Sequence, residues 1–171
     1  AGGIINNSAA NDLKIIGCTN TGTIEAKGYT NTEGESVTAP AGGIIGFASN
    51  SLYIENCING EENGESGSIT GMSRVGGIAG GILPEDTTIK GSTNHGLITG
   101  IYRVGGIAGQ TSTGNTIFEN CHNTGDFTNV HSYESVSPTE TRYGGIIGLA
   151  NGPVKIMNSS SSGKVSIDPV Y

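Results

Sequence analysis

Large apolar residues recur along this chain in short segments, where they alternate with polar or small residues. In one stretch Val75-Gly76-Gly77-Ile78 is followed by Thr88-Ile89-Lys90 and then by Leu97-Ile98-Thr99. Alternation with a period of two is typical of β-strands that bury one face. Glycine interrupts the pattern too often for helices of ordinary length. The pattern therefore predicts an all-β protein.

The same three segments return five times. Each unit opens on the phrase Gly-Gly-Ile, whose five copies begin at Gly2, Gly42, Gly76, Gly105 and Gly144. A Cys or Ser follows 14 or 15 residues after the second glycine, at Cys18, Cys57, Ser92, Cys121 and Ser159. The second glycines of successive units are 40, 34, 29 and 39 residues apart. A repeat of this period predicts a stacked array.

Units this short, with three strands each, predict a parallel β-helix (β-solenoid) of about five coils with three short strands per coil. A propeller is disfavoured because its blades need four long strands. Like residues of successive coils would stack about 4.8 Å apart and form inward columns. The predicted columns are Ile4, Ile44, Ile78, Ile107 and Ile146; Ile15, Ile54, Ile89, Phe118 and Ile156; and Ile24, Ile69, Ile98, Phe127 and Val165.

An asparagine stands two positions after the Cys or Ser in four of the units. We expect the side-chain amides to bond from coil to coil as a ladder, and we expect asparagine because it tolerates a left-handed backbone at a sharp corner. A row of sugar-binding amides is the alternative. The ladder would contain Asn20, Asn59, Asn94 and Asn123, with Ser161 in the fifth coil.

The three cysteines share one column with two serines, which indicates a tight inward packing position. We expect free, buried thiols. A disulfide between Cys18 and Cys57 is the alternative, although stacked parallel side chains rarely reach disulfide geometry. Metal ligands would be expected at short spacing from one another, and these cysteines are far apart in the chain.

The chain carries a formal net charge of −7, with 8 Lys and Arg among 171 residues. A nucleic-acid-binding face needs clustered basic residues, so we expect no nucleic-acid partner and no adsorption to anionic membranes. No apolar run is long enough to span a bilayer, so we expect no membrane insertion. We expect residues 1–171 to form a single domain cut from a longer chain, because there is no initiator methionine and the ends lie near repeat phrases.

The units differ in length through insertions, which in repeat proteins form loops that often bind ligands. The predicted loops are residues 27–39, 60–66 and 130–141. Tyr29 lies in the first loop, and His131 and Tyr133 lie in the last. These three side chains are candidates for a shallow ligand site; the alternative is that the loops are solvated and bind nothing.

One column holds an arginine in three successive coils, with a tyrosine beside the middle one: Arg74, Arg103, Arg142 and Tyr102. Stacked guanidinium groups repel one another unless they are paired. They would either pair with loop acids such as Glu134 or Glu140, or hold an anionic ligand through bidentate contacts. The four residues are further candidates for ligand binding.

No catalytic residues are predicted. General acid–base chemistry needs two carboxylates that converge on one bond, and the outward strand positions here hold Glu, Thr, Ser, Lys and Met interchangeably. The histidines His95, His122 and His131 are scattered, and the first two are expected at exposed corners. We expect no cofactor and no metal. Weak surface salt bridges are expected in one column of alternating charge, Glu55, Lys90 and Glu119.

The phrases Val75–Gly80 and Val104–Gly109, together with Glu119–Thr128, resemble the GLUG-type repeat. That repeat occurs in large exported bacterial proteins, including adhesin-like surface proteins and some immunoglobulin A peptidases. The resemblance covers nearly the whole chain. It implies a right-handed β-helix, an extracellular or cell-surface location, and other domains in the same protein. It implies no peptidase activity, because the chain has no His-Glu-x-x-His motif.

These observations predict a non-catalytic β-helical stalk or adhesion module of a bacterial cell-surface or secreted protein, with a host or glycan ligand. The alternative is a β-helix that degrades polysaccharides as a lyase or glycosidase, which rests on analogy of fold alone. An ice-binding surface is a third and weaker candidate. The threonines do not form the repeated two-threonine ladder that such a surface needs.

Overall fold

The structure is a computed structural model that describes residues 1–30, 32–33, 36–37, 39–83, 86–129 and 141–166. Every regular element in these residues is a β-strand. The first coil contains β1 (Ile5–Ser8), β2 (Leu13–Ile16), β3 (Thr19–Asn20) and β4 (Ile24–Ala26), and the hairpin β5 (Tyr29–Thr30) and β6 (Ser36–Val37) follows it. The second coil contains β7 (Ala41–Gly42), β8 (Ile45–Ala48), β9 (Leu52–Glu55), β10 (Ile58–Asn59) and β11 (Ile69–Gly71).

The remaining three coils repeat the pattern of the second. The third contains β12 (Ser73–Gly76), β13 (Ala79–Ile82), β14 (Thr87–Lys90), β15 (Thr93–Asn94) and β16 (Ile98–Gly100). The fourth contains β17 (Tyr102–Gly105), β18 (Ala108–Thr111), β19 (Thr116–Glu119), β20 (His122–Asn123) and β21 (Phe127–Asn129). The fifth contains β22 (Tyr143–Gly144), β23 (Ile147–Ala150), β24 (Val154–Met157), β25 (Ser160–Ser161) and β26 (Val165–Ser166).

Apart from β5 and β6, which pair with each other as an antiparallel hairpin, each strand pairs in parallel with its equivalent in the next coil, and five parallel sheets result. We call them sheet I (β7-β12-β17-β22), sheet II (β1-β8-β13-β18-β23), sheet III (β2-β9-β14-β19-β24), sheet IV (β3-β10-β15-β20-β25) and sheet V (β4-β11-β16-β21-β26). The predicted parallel β-helix of about five coils is confirmed. The described residues contain no helix that could cross a bilayer.

The prediction of three strands per coil is wrong in detail, because each complete coil has five. The first predicted segment bends between Gly76 and Ala79, where sheet I ends and sheet II begins. The second bends at a column of residues with positive φ, which separates sheet III from sheet IV. That column contains Gly17, Asn56, Gly91, Asn120 and Asn158. Glycine and asparagine adopt the left-handed backbone at the least steric cost, so this column turns every coil at the same place.

The three predicted apolar columns are in register. Ile54 pairs with Ile89 and Ile69 with Ile98, while Ile78 accepts a backbone hydrogen bond from Ile44. The inner members of each column are fully buried. Three of the end members are exposed, because each has a neighbouring coil on one side only: Ile4 at 45%, Ile156 at 47% and Val165 at 49%. Ile15, at the end of its column in the first coil, is still buried.

The interior divides into two apolar clusters. One lies between sheets II and III and contains Ile78 and Ile89; the other lies between sheets I and V and contains Val75 and Ile98. Between them the backbone at Gly77 approaches the side chain of Asn94 so closely that a Cβ on this glycine would overlap the amide. The second glycine of each Gly-Gly pair therefore serves close packing rather than a left-handed turn.

The asparagine ladder is confirmed. Asn20, Asn59 and Asn94 each donate from Nδ2 to the Oδ1 of the next asparagine at 2.7 Å, and Asn123 donates to Ser161 Oγ at 3.3 Å. The predicted reason for asparagine is wrong, because these residues do not have positive φ. They are buried, and their amides also bond to the following backbone carbonyls, so asparagine is needed as both donor and acceptor.

The three cysteines are free thiols. Cys57 and Cys121 are buried as predicted, while Cys18 is only partly buried because its coil ends the stack. Cys121 Sγ lies 3.2 Å from the Ile89 carbonyl oxygen, which it approaches as a donor. Burial raises the pKa of both inner thiols.

We expect iodoacetamide to modify Cys18 well before the two inner cysteines. At any pH below their raised pKa values, Cys57 and Cys121 contain less reactive thiolate than an exposed cysteine, and burial also blocks access. Peptide mass spectrometry over a time course measures the order, with urea-unfolded protein as the control in which all three react alike. Equal rates in the folded protein would contradict the packing described.

Candidate functional site

The predicted arginine column exists. Ser73 pairs with Tyr102 and Val75 with Val104, so Arg74 and Arg103 occupy equivalent positions in neighbouring strands of sheet I. Arg142 continues the column, since its carbonyl oxygen accepts a hydrogen bond from Val104 at 2.8 Å. The arginine side chains differ in exposure: those of the third and fourth coils are partly buried, and Arg142 is exposed.

The other candidates are distributed differently. Tyr102 is partly buried beside Arg103. The backbone of Tyr29 pairs with Val37 in the β5–β6 hairpin. His131 and Tyr133, with the acids Glu134 and Glu140 that were expected to pair with the arginines, lie outside the described residues. The expected site between the two long loops therefore stays a prediction.

Arg74 and Arg103 have φ values of 54° and 55°. This left-handed conformation costs an ordinary residue about 1–2 kcal/mol, and neither side chain has the short polar group that eases it for asparagine. Strained backbone is often found at functional sites, where the surrounding fold holds it in place. The strained backbone therefore indicates that, within the column, a functional role is best sought at Arg74 and Arg103.

Arg74 is held over an aromatic ring. Its guanidinium carbon is 6.0 Å from the centre of the Phe47 ring, a cation–π distance. Gly81 makes room for this contact: a Cβ there would lie 2.9 Å from Phe47 Cδ2 and 3.4 Å from Arg74 Cδ. Arg74 Nε is buried and has no hydrogen-bond partner among the described residues. Desolvation, followed by the nearby charge of Arg103, lowers the pKa of Arg74.

Arg103 has a different neighbour. Its Nη1 donates to Gln110 Oε1 at 3.0 Å. Gln110 pairs with Gly81 in the register of sheet II, so the fourth coil supplies an amide where the third supplies only a glycine. The two arginines, although in equivalent positions, therefore have different polar neighbours.

A cavity of about 290 Å³ opens beside Arg74. We call it the Arg74–Phe47 cavity. Its walls include Asn6, Asn7, Pro40, Phe47 and Arg74. Ala1 also lines it, and its backbone nitrogen donates to the Pro40 carbonyl oxygen. The cavity combines a cation, two amides and an aromatic ring.

A second feature, which the sequence analysis missed, is a groove along sheet III. Two adjoining depressions of about 330 and 530 Å³ share Asp86 and Thr88 in the third coil. They extend from Lys14 in the first coil to Lys155 in the fifth. We call their union the sheet III groove. Four coil spacings make it about 19 Å long.

The middle of the sheet III groove presents an aromatic ring and hydrogen-bonding groups. Tyr53 lies between Lys14 and Thr88 in the register of the sheet. The carboxylate of Glu55, as a hydrogen-bond acceptor, raises the pKa of Tyr53, so this phenol stays neutral over a wide pH range. Asp86 Oδ1 accepts a hydrogen bond from Asn115 Nδ2 at 2.9 Å. The alternation of strand residues showed which side chains point outward, but not that a groove forms along them.

The outward column of alternating charge is present beside this groove. Glu55, Lys90 and Glu119 are in register, and Lys90 Nζ lies 3.8 Å from Glu119 Oε2. Both side chains are partly exposed, so solvent screens the ion pair and it contributes little to stability. Its position on the surface of sheet III agrees with the prediction.

The histidines at the corners are exposed or partly exposed, and they bond to hydroxyl groups of the next coil. His95 Nδ1 is 2.7 Å from Thr124 Oγ1, and His122 Nδ1 is 2.9 Å from Ser160 Oγ. Within the described ranges no group of three or more His, Cys, Asp or Glu side chains is placed to hold a metal ion. These histidines link successive coils at the corners.

Comparison with protein-family models, with curated proteins and with solved structures finds no match for this chain. The resemblance to the GLUG-type repeat therefore rests on the residues quoted for it and stays a prediction. The functional conclusion has to come from the surfaces just described.

Proposed function

We propose that this chain is a non-catalytic β-helical binding module of a bacterial cell-surface or secreted protein, and that the sheet III groove binds a linear glycan. The observation that carries the proposal is the groove itself, which crosses all five coils and exposes Tyr53 near its middle. The bacterial origin and the location come from the GLUG-type resemblance.

The shape of the groove suits a polymer better than a small molecule. It is open and elongated, and it runs along the axis of stacking, so equivalent positions recur about every 4.8 Å. Binding sites usually combine apolar or aromatic surface with a few polar groups that fix orientation. Here Tyr53 offers a ring face to the apolar side of a sugar, while Thr88 and Asp86 offer hydrogen bonds to its hydroxyl groups.

The stacking also makes the site rigid. The groove is formed by the strands of sheet III, whose inward residues Ile54, Ile89 and Phe118 are fully buried. Side chains on such a support lose little additional freedom when a ligand binds, which favours affinity. A rigid rod with a binding face is also suitable as a stalk or adhesive segment.

The lining of the groove favours binding over catalysis. Among the described residues that line it, the carboxylates are Asp12 and Asp86, which come from the first and third coils. Asp86 accepts a hydrogen bond from Asn115. A glycosidase needs a pair of carboxylates across one bond, one of them protonated.

We expect Tyr53→Ala to weaken glycan binding by about tenfold, corresponding to the loss of a stacking contact of about 1.4 kcal/mol. A glycan array would identify the probe, and calorimetric titration with that glycan would measure the affinity. Tyr102→Ala is the matched control, because it removes a tyrosine from sheet I, away from the groove. If Tyr102→Ala abolished binding and Tyr53→Ala did not, the ligand would bind at the arginine column instead.

Degradation of polysaccharides is the competing function, and a direct assay separates the two. The protein would be incubated with neutral and uronic-acid polysaccharides, and new reducing ends or unsaturated products would be measured. We expect none. If products formed and the Asp86→Asn variant formed none, the chain would be an enzyme and the proposed binding function would be rejected.

A further inference from the structure

We propose that the Arg74–Phe47 cavity is a separate binding site for one oxyanion group, a carboxylate or a sulfate. The site does not depend on the sheet III groove, because it lies at sheets I and II and shares no lining residue with it. Four observations on Arg74 support it.

The first is an unmatched charge. Arg74 is partly buried, and no described residue accepts a hydrogen bond from it or forms an ion pair with it. Its Nε is enclosed and unpaired. A cation that has lost part of its hydration gains free energy when an anion replaces the missing water. An oxyanion in the cavity would supply the missing acceptors.

The second is the comparison with Arg103 within the same sheet. Both residues have the same backbone conformation, and Gln110 gives Arg103 an acceptor at 3.0 Å. At the corresponding place beside Arg74 the chain has Gly81, which leaves space and offers no side-chain acceptor. The Nε of both arginines is buried without a partner, so the difference lies at the terminal nitrogens: Arg103 Nη1 has an acceptor in Gln110, and no described residue accepts from the guanidinium of Arg74.

The third is the fixed position of the guanidinium group. Phe47 packs against one face of it, and the room beside Gly81 allows the close approach. The planar donors of arginine match the oxygen spacing of carboxylate and sulfate. Because the side chain is already ordered by the fold, little conformational entropy remains to be lost on binding.

The fourth is the polar rim of the cavity. Asn6 and Asn7 from the first coil line the cavity with Phe47, and side-chain amides can donate to oxyanion oxygens that the guanidinium does not reach. A volume of about 290 Å³ accommodates one such group with its attached carbon or sugar atoms. The group would come either from a free small anion or from an acidic polymer.

The test is isotope-edited NMR of the arginine Nε–H groups. The intact protein would be titrated with sodium sulfate, with sodium chloride at equal ionic strength as the reference. We expect the Arg74 signal to shift with sulfate in a saturable way, while the Arg103 signal changes little because Arg74, and not Arg103, lines the cavity. A shift of the same size with chloride, or no shift at Arg74, would overturn the proposal.

Two variants identify the responsible group. Arg74→Asn removes the charge with a residue that tolerates the left-handed backbone, and it is expected to weaken sulfate binding by about tenfold or more. Arg142→Asn is the matched control, since it removes the same charge from an exposed member of the column. The affinity of this variant for sulfate should stay within about twofold of that of the unchanged protein. Equal losses in both variants would show that only general positive charge matters, and the site would be rejected.

Gly81→Gln is a third variant that keeps Arg74. It places an amide beside Arg74 as Gln110 does beside Arg103, and its Cβ, 2.9 Å from Phe47 Cδ2, also requires the ring to shift. For both reasons we expect loss of the sulfate response with the fold retained, as judged by circular dichroism. A full sulfate response in this variant would contradict the claim that Arg74 binds sulfate because no side-chain acceptor lies beside it.

A final comparison distinguishes the two sources of the anion. Chondroitin sulfate and polygalacturonate would be titrated beside free sulfate and free acetate. Tighter binding of a polymer that still depends on Arg74 would identify an acidic polysaccharide as the source, and equal affinities per anionic group would identify the free anion. Polymer binding that Arg74→Asn leaves intact would overturn the proposal for the polymer.

Discussion

Replacement of Gly77 by alanine is expected to destabilise the protein strongly. A Cβ at this position would overlap the carbonyl oxygen of Gly106 and the side chain of Asn94 at once. The first is backbone held in register by neighbouring coils, and the second belongs to the buried ladder, so neither can move away cheaply. Overpacking of a core costs about 1–3 kcal/mol, and a clash with backbone is expected at or above the upper end.

Urea unfolding followed by circular dichroism would measure this loss. Gly22→Ala is the matched control, because a Cβ there would have only Asn20 Oδ1 nearby, at an ordinary contact distance of 3.4 Å. We expect Gly22→Ala to be nearly neutral. If the two variants unfolded at the same urea concentration, the close approach of the Gly-Gly phrase to the ladder would not be a requirement of the fold.

The second large effect is expected from Asn94→Ala in the middle of the ladder. The change removes a bond accepted from Asn59 and a bond donated to Asn123, both 2.7 Å, and a third bond to the Gly96 carbonyl oxygen at 3.0 Å. It also leaves Asn123 Oδ1 buried without its donor. A buried polar group left unsatisfied costs about 1–3 kcal/mol, so a loss of about 3 kcal/mol or more is expected.

Asn20→Ala provides the control for that prediction. Asn20 begins the ladder and has a single ladder bond, to Asn59. We expect it to lose about half as much stability, since its coil is also partly open to water. Equal losses at Asn20 and Asn94 would show that the ladder bonds act independently of their position in the stack.

Particular residues show which features of the fold could be predicted from the sequence. The Ile54, Ile89 and Phe118 column was predicted and is in register, because a solenoid places like positions of successive repeats against one another. The ladder from Asn20 to Ser161 followed from the same rule. The positions with positive φ were assigned to the wrong asparagines, three residues too late. The signal was present in the Gly or Asn that stands directly before every Cys or Ser.

The candidate site was predicted only in outline. The arginine column was recognised because it repeats, as the isoleucines do. Its environment was not, because Phe47 and Gly81 meet Arg74 from a different sheet, and a repeat pattern carries no information about which sheets lie side by side. The sheet III groove was missed for the same reason: its walls combine strand residues with the turns that precede them.

The sequence by itself determined the number of coils, the residues that stack in each column and the ladder that joins them. These features depend on contacts between equivalent residues of successive repeats. Those residues recur at similar spacing along the chain, so they can be found by aligning one repeat with the next. Only the tertiary structure decided how a coil bends into five strands, which arginine obtains an acceptor and where a groove opens. Those features depend on contacts between unlike positions, whose geometry is set by backbone bends and by the space that small residues leave.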